Sequence, residues 1–220
     1  MSVALEQVPK EEVIEQPHVS YSQLRTYLTC PQRYGFNYIL GAEWERKSAA
    51  LAFGSAVHKA VEAYYRTLQE TGEILSVEVV VDVFDRVFEQ QILNSKVEIV
   101  FKDCEDYASL RKQGIELLKV FHNTVEPQKV VAVEVPFSVK IPDLLANGDG
   151  FLPIRLTGIF DLVESDGESY LVCELKTSSQ RFSQIKLEHD LQATVYSYAM
   201  TEMGFATSKN STLLKSPGNK

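Results

Sequence analysis

Residues 158–176, GIFDLVESDGESYLVCELK, decide the fold of this chain. Two apolar-rich runs, 159–163 and 170–173, flank the dipeptide Asp166-Gly167. This dipeptide favours a tight turn between two strands, because glycine adopts positive φ angles without a steric penalty. The pattern therefore predicts a β-hairpin.

Charged residues interrupt the apolar strands of this hairpin. Strand pairing can bring Asp161 near Glu174, and alternation along the strand places Glu174 and Lys176 on the same face. Charged groups in such strands are costly to bury unless they are paired or bound to a metal. Two carboxylates beside an amine suit a hard divalent cation. The alternative is a surface hairpin whose Glu174 and Lys176 face water, and these residues alone leave both interpretations open.

Motifs elsewhere in the chain favour the metal site. Four segments stand out: SQLRTYLTCPQRY (22–34), GSAVH (54–58), Asp161 with Glu174-x-Lys176, and QATVY (192–196). Together, and in this order, they resemble the opening helix, the histidine motif, the acidic and lysine motif and the glutamine–tyrosine motif of the PD-(D/E)XK nuclease superfamily, in its RecB-type branch. The resemblance extends from about residue 21 to residue 200.

The resemblance implies an α/β fold with a restriction-endonuclease-like core, a mixed central sheet flanked by helices, and a helical N-terminal half. It implies a divalent-metal-dependent DNA nuclease, expected to be an exonuclease at DNA ends in recombination, repair or CRISPR adaptation. DNA ends or single strands would be the substrate, and a helicase or recombination protein a partner. The alternative is a non-catalytic nucleic-acid-binding or accessory protein, because a fold alone does not determine function.

Metal ligation is implied by the resemblance for four residues. Asp161 and Glu174 would hold Mg²⁺ or Mn²⁺, with His58 and the backbone carbonyl of Leu175 completing the protein ligands. An imidazole beside carboxylates admits Mn²⁺ as well as Mg²⁺. From the residues alone, His58 is equally a half-exposed histidine, with Glu62 one turn later as a neighbour or an orienting group.

Further roles follow from the same resemblance. Lys176, with Asp161 and Glu174, would be catalytic, orienting or deprotonating the attacking water or offsetting charge on the phosphate. Gln192 and Tyr196, four residues apart on one helix face, would contact DNA or support the site.

The positions of two residues on one predicted strand are not settled by the sequence alone. Glu134, on the strand that begins at residue 129, matches a glutamate of the family and faces either the site or solvent. Pro136 on the same strand requires an edge position or a bulge.

The cysteines predict that no iron–sulfur cluster is present. In CRISPR-associated and AddB-like relatives, a cysteine placed like Cys30 joins three C-terminal cysteines around a cluster. This chain has three cysteines, with none after Cys173, and a cluster needs about four thiolates. Cys30 is then expected to be a small buried packing residue.

Composition limits the other classes of function. The net charge of −8 argues against a protein that coats DNA nonspecifically, but not against a nuclease with a narrow cleft. No apolar run approaches the roughly 18–20 residues of a membrane span, and no secretory signal is recognisable. Three cysteines without a CxxC pair favour reduced thiols, and hence a cytoplasmic protein.

The chain is predicted to divide into four segments. They are a disordered tail at 1–18, a helical part with the histidine motif at 19–125, the nuclease core at 126–206 and a flexible basic tail at 207–220. Apolar periodicity predicts helices at 54–69, 77–94, 104–124 and 186–203, and leaves 95–103 unassigned. A capping box of Ser20 and Gln23 begins the first helix. Pro31 should restart that helix, with Tyr38 and Ile39 facing inward behind it.

Overall fold

The computed structural model describes residues 17–145, 150–177 and 190–205, and the backbone of 207–215. Residues 1–16 of the predicted tail, 147–149 of a predicted turn and 178–189, which include the predicted start of the last helix, lie outside them. Within the described ranges, no helix combines the length and apolar character needed to cross a membrane.

Helices and strands follow one another in an α/β pattern. The helices are α1 (Tyr21–Thr29), α2 (Pro31–Tyr34), a π-helical turn (Gly35–Ile39), α3 (Ala49–Thr71), α4 (Val77–Leu93), α5 (Tyr107–Thr124) and α6 (Leu191–Glu202). The strands are β1 (His18–Ser20), β2 (Arg46–Ser48), β3 (Glu98–Val100), β4 (Lys129–Asp143), β5 (Gly150–Ser165), β6 (Tyr170–Leu175) and β7 (Thr207–Lys215).

Strand β5 organises the main sheet. Antiparallel β4 pairs along one edge of β5. On the other edge, β1 pairs in parallel with residues 155–157 and β6 pairs antiparallel with residues 162–165. Strand β7 then adds in parallel to β6. This mixed sheet, with helices around it, confirms the predicted fold class.

Two hydrophobic clusters pack helices onto the sheet. One cluster joins α3, α4 and α5, including Phe84 and Phe88, to the sheet residues Leu162 and Cys173. The other joins α6 to the aromatic pair Phe137 and Phe160 and to neighbouring aliphatic residues of the sheet. Because side chains alternate along a strand, β5 contributes Leu162 to one cluster and Phe160 to the other.

The hairpin and several helix ends follow the sequence. Residues 166–169 connect β5 to β6, with Gly167 at a φ of +98°. The predicted stop of α3 at Gly72 is confirmed by its left-handed φ of 74°. Helix α3 nevertheless begins at Ala49, because the hydroxyl of Ser48 accepts the Ala50 N–H. Pro136 lies on β4, which pairs only with β5 among the described strands.

The C-terminal predictions need correction in part. Helix α6 is described from Leu191, where the carboxylate of Asp190 accepts the N–H of Gln192 and caps the helix, and the predicted start at 186 lies outside the described residues. The predicted flexible tail at 207–220 is wrong over Thr207–Lys215. The backbone there forms β7, which pairs with the open edge of β6. Residues 216–220 lie outside the described part.

Near the N-terminus, some expectations are confirmed and others are wrong. The capping box of Ser20 and Gln23 is present, and Pro31 takes the first position of α2. Tyr38 and Ile39, however, are 42% and 70% exposed rather than inward-facing. The cause is the π-helical turn, whose i→i+5 hydrogen bonds change the residue period on which the prediction relied.

Three other segments also differ from expectation. Cys30 is half-buried rather than a buried packing residue, and its Sγ accepts the N–H of Arg33 as the cap of α2. His18, placed in the predicted tail, begins β1. The unassigned segment 95–103 contains β3, which pairs in parallel with β2.

Gly114→Ala tests the packing of α5 against α4. A Cβ at Gly114 would collide with the ring of Phe84, which is buried and stacked on Phe88. We expect the free energy of unfolding to fall by roughly 1–3 kcal/mol, the usual cost of overpacking. Chemical denaturation measures the change.

Gly35→Ala is the matched control, because nothing lies within 4 Å of a Cβ placed there. Replacing this helical glycine should leave the stability unchanged or raise it by roughly 0.5–1 kcal/mol. Equal effects of the two substitutions would contradict the assigned contact with Phe84.

Candidate active site

The site forms where β5 and β6 separate. Leu162 and Cys173 are the last paired residues on this side of the hairpin, and the edge of β5 at 158–161 carries no strand among the described residues. Just beyond the last pair, the Leu175 N–H donates to Asp161 Oδ2 at 2.8 Å. The separation places the carboxylates of Asp161 and Glu174 side by side.

Glu174 is a buried acid with one unsatisfied oxygen. Its side chain is 7% exposed. Oε1 accepts from Lys176 Nζ at 2.5 Å, while Oε2 is buried without a hydrogen-bond partner. Burial raises the pKa of Glu174, and the negative charge of Asp161 raises it further, against the opposing effect of Lys176. An ionised Glu174 is therefore under-neutralised.

His58 reaches the same carboxylates from α3. Its Nε2 lies 3.1 Å from Asp161 Oδ2, and its Nδ1 lies 3.5 Å from Glu134 Oε1. The hydrogen bond to Asp161 raises the pKa of His58, opposed by burial and reinforced by the nearby carboxylates.

Gly54 explains the spacing of the histidine motif. A Cβ at Gly54 would stand 3.1 Å from Thr177 Oγ1, so α3 passes very close to the end of β6 at this residue. His58 lies one helical turn later on the same face, since residues i and i+4 are neighbours on a helix. Close approach at Gly54 therefore places His58 over Asp161.

Glu134 faces the site rather than solvent. Its φ of 54° is left-handed, a conformation that costs energy for a residue other than glycine. Burial raises the pKa of Glu134, with a contribution from Glu62 and Asp161 that His58 opposes. His58, Glu62 and Glu134 could offer ligand atoms within 4.8 Å of one another.

The carboxylate of Glu62 has other partners. Among the described residues, its oxygens accept from Arg66 at 2.8 Å and from Lys59. Of the two alternatives for Glu62, these contacts favour a neighbour of His58, because Lys59 and Arg66 of α3 hold its carboxylate.

Gln192 and Tyr196 close the unpaired edge of β5. The Gln192 side-chain amide donates to the Tyr196 hydroxyl at 3.1 Å, and that hydroxyl donates to the Ile159 carbonyl at 3.0 Å. Burial raises the pKa of Tyr196, which keeps its hydroxyl protonated as a donor. Gln192 Oε1 is buried without a partner.

A cleft of about 600 Å³ opens onto these residues. Its walls include Glu174, Lys176 and, from α1 and α2, Arg25 and Arg33. The Tyr21 hydroxyl donates to Asp190 at 3.2 Å and so ties α1 to the start of α6. The cleft is thus cationic on one wall and anionic at its base, an arrangement that suits a phosphate above a metal site.

Sequence reasoning missed several of these features. Arg25 and Arg33 lie within the 22–34 motif, where two arginines eight residues apart were an available signal. Asp190, immediately before an apolar helical run, carried a recognisable capping signal. The left-handed conformation of Glu134 had no signal in the sequence.

Comparison with known families identifies the chain. A family model described as the PD-(D/E)XK nuclease superfamily matches residues 18–218. The chain belongs to the PD-(D/E)XK nuclease superfamily. No curated protein matches it. Superfamily membership accounts for the mixed sheet and implies a nuclease that uses divalent metal and acts on nucleic acid.

The residues of this nuclease fit such a metal. Among the described residues, Oε2 of Glu174 is buried without a hydrogen-bond partner, and the nearby negative charge of Asp161 raises the pKa of Glu174, so the two carboxylates share a site that a cation would neutralise. Carboxylate oxygens are ligands for hard cations, and the imidazole of His58 suits transition metals such as Mn²⁺. The sequence has three cysteines, whereas a Cys₄ iron–sulfur site takes four thiolates.

Glu174→Gln should stabilise the protein in the presence of a chelator. The substitution removes a buried charge whose ionisation is disfavoured, so we expect a gain of roughly 0.5–2 kcal/mol near neutral pH, the range of single stabilising changes. Because the pKa of Glu174 is raised, the folded protein binds this proton more readily than the unfolded chain. The gain should therefore diminish as the pH falls and Glu174 itself becomes neutral.

Chemical denaturation at near-neutral and mildly acidic pH measures this gain. Glu168→Gln is the matched control, because Glu168 is exposed in the β5–β6 connection. A Glu174→Gln protein that is less stable than the parent at neutral pH would show that Lys176 fully neutralises this acid.

Proposed function

We propose that this protein is a divalent-metal-dependent deoxyribonuclease of the RecB type that hydrolyses phosphodiester bonds at DNA ends. One observation carries the proposal. Glu174, a buried carboxylate with one oxygen that has no hydrogen-bond partner among the described residues, lines the same cleft as Arg25 and Arg33, and the carboxylate of Asp161 lies close enough to raise its pKa. A cation neutralises the two carboxylates, and the arginines attract the phosphates.

Protein ligands for the metal would come from three elements. Asp161 on β5, Glu174 and the carbonyl of Leu175 on β6, and His58 on α3 would hold Mg²⁺ or Mn²⁺. A bound divalent cation supplies Lewis-acid chemistry and lowers the pKa of its water. The hydrogen bond from the Leu175 N–H holds the Asp161 carboxylate in position.

Lys176 would act on the water and the phosphate. Its ammonium has no lone pair and is therefore not a metal ligand. Glu174 holds Nζ at the cleft, where a positive charge can orient the attacking water and offset the charge that develops on the phosphate. The new P–O bond forms as the bond to the leaving sugar oxygen breaks.

Gln192 and Tyr196 would support the site and approach the DNA. The Tyr196 hydroxyl donates to the Ile159 carbonyl, at the edge of β5 where no described strand pairs. Gln192 and Tyr196 both line the cleft. Arg25 and Arg33 would hold backbone phosphates away from the scissile one. Local positive charge of this kind allows DNA binding by a protein whose net charge is −8.

The biological setting is part of the same proposal. The four motifs of the RecB-type branch support an exonuclease that works at ends with a helicase or recombination partner, or in CRISPR adaptation. An odd number of cysteines without a CxxC pair fits a reducing cytoplasm.

Asp161→Ala and Glu174→Ala test the metal site. Each removes charged ligand oxygens, so we expect nuclease activity to disappear and Mn²⁺ binding to weaken strongly. Activity is followed on end-labelled linear DNA and on circular DNA with Mg²⁺ or Mn²⁺, and calorimetry measures metal binding. Release of nucleotides from linear DNA with circular DNA left intact is the result expected of an exonuclease.

Lys112→Ala is the control for these variants, because Lys112 is exposed on α5 outside the cleft. Full activity in either acid variant would overturn the site assignment. A parent protein that binds DNA but cuts neither substrate with either metal would favour the accessory role.

Lys176→Ala should separate metal binding from chemistry. Cation affinity should persist, because the ammonium is not a ligand. The cleavage rate should fall by roughly 10²–10⁴, the range for loss of a positioned acid–base or charge-stabilising group. DNA affinity should fall less, since only one phosphate contact is lost.

Single-turnover cleavage measured beside Mn²⁺ calorimetry gives both quantities for this variant. Cleavage at the parent rate would show that Lys176 faces solvent and has no role in catalysis. Loss of cation binding would mean that Lys176 instead maintains the folded metal site.

A further inference from the structure

A second cavity adjoins the cleft. It measures about 710 Å³ and shares Arg33 with the cleft. Its other lining residues come from 43–48, from the first turn of α3 at Leu51 and from residues 96–97, and the pairing of β2 with β3 holds the first and last of these segments near each other. We call this cavity the Trp44 groove, defined by Arg33, Trp44, Arg46, Lys47, Leu51 and Lys96.

Positive charge dominates the Trp44 groove. Four cations, Arg33, Arg46, Lys47 and Lys96, line it against a single carboxylate, that of Glu43. Arg46 is held by Glu98 at 2.9 Å, outside the lining. Such an excess is unexpected by chance on a chain of net charge −8, and it favours an anionic occupant.

Exposed apolar surface accompanies this charge. Trp44 is 55% exposed and Leu51 is 63% exposed. The Arg33 guanidinium lies 5.5 Å from the centroid of the Trp44 ring, on its face. The groove therefore offers an aromatic ring, a planar cation and a row of ammonium groups at one surface.

This combination matches single-stranded nucleic acid better than other anions. Single strands bind where a cationic groove follows the phosphates and aromatic rings stack on the bases. Bases within a duplex are stacked on each other and cannot stack on Trp44. Because Arg33 lines both cavities, the groove lies next to the cleft, and one strand can extend from one to the other.

We propose that the Trp44 groove binds a single strand of nucleic acid that extends from the catalytic cleft. Bases of that strand stack on Trp44 and on the Arg33 guanidinium, while Lys47 and Lys96 contact its phosphates. This inference deepens the proposed nuclease function and rests on it for the direction of the strand. Strands long enough to extend from the cleft into the groove therefore bind more tightly than shorter strands.

Fluorescence of the protein reports on the groove directly, because Trp44 is the only tryptophan in the chain. The full chain is titrated, with chelator present to prevent cleavage, with oligo(dT), oligo(rU), a blunt DNA hairpin and polyglutamate. Quenching by the single strands, but not by the hairpin or polyglutamate, supports the proposal. Absence of quenching by both single strands overturns it, and equal quenching by polyglutamate or by the hairpin also overturns it.

Variants of Trp44 test the stacking. Trp44→Ala should weaken binding of labelled oligo(dT) by roughly 5- to 100-fold, measured by fluorescence anisotropy, while Trp44→Phe retains a ring and should lose much less. Unchanged affinity in Trp44→Ala overturns the proposal. An equal loss in both variants also overturns it, because that result indicates a structural role for tryptophan.

Charge variants provide the second measurement. Lys47→Gln with Lys96→Gln should lower the slope of log affinity against log salt by roughly 1.4, at about 0.7 for each phosphate contact on a single strand. Lys112→Gln on α5 is the control and should change neither slope nor affinity. An unchanged slope in the double variant overturns the phosphate contacts.

A small substrate separates this inference from the nuclease proposal. Thymidine 5′-(p-nitrophenyl phosphate) reaches the cleft without reaching the groove, so Trp44→Ala should hydrolyse it like the parent while its KM for a long single strand rises. Equal loss on both substrates overturns the groove and leaves the nuclease intact. Failure of the parent to cut either substrate, with quenching retained, overturns the nuclease and supports the groove as a binding surface.

Discussion

The hydrogen bond from the Leu175 N–H to the Asp161 carboxylate is the constraint on which the site depends. It is made just past the last paired residues of β5 and β6, where a backbone carbonyl would ordinarily be the acceptor. Because the acceptor is a side chain, a hydrogen bond still connects the two strands here although their backbones separate. It also holds the Asp161 carboxylate next to Glu174, whose burial disfavours charge. The requirement for a cation follows from this arrangement.

Two other features hold α3 and β4 against that pair of acids. Gly54 allows α3 to pass close to Thr177, and His58 is brought within 3.1 Å of Asp161 one turn later. Glu134 on β4 contacts the same histidine, and its backbone adopts a strained left-handed conformation there. Strain of this kind persists only where the surrounding structure holds it, which is common at functional sites.

The sequence was sufficient for those parts of the structure that depend on local chemistry. Asp166-Gly167 predicted the hairpin, and with it the juxtaposition of Asp161 and Glu174, because turn geometry and strand period determine which residues lie opposite. Contacts between distant elements were less accessible. The Glu134 side chain points toward His58 because of a backbone conformation that no residue pattern signals. The position of Arg33 depends on how α2 packs beside the sheet.

The errors also have physical causes. Tyr38 was expected inside because its spacing suits an α-helix, whereas the π-helical turn changes that spacing. The apolar pattern of the last helix did not reveal its cap, which is the Asp190 carboxylate immediately before Leu191. The tail after residue 206 has a polar composition, yet Thr207–Lys215 pairs through its backbone with β6, an interaction that composition does not reveal.

The pairing of β5 has a consequence for how the molecule opens. Because β5 has β4 on one edge and both β1 and β6 on the other, separating it disrupts three pairings at once. Amide hydrogens around Asp161 should then exchange with solvent only in large cooperative openings. Strands β2 and β3, three residues each, form a separate small sheet and can open locally. The cleft beside β5 and the part of the Trp44 groove formed by β2 and β3 thus rest on sheets of different size, and we expect the smaller sheet to open more readily.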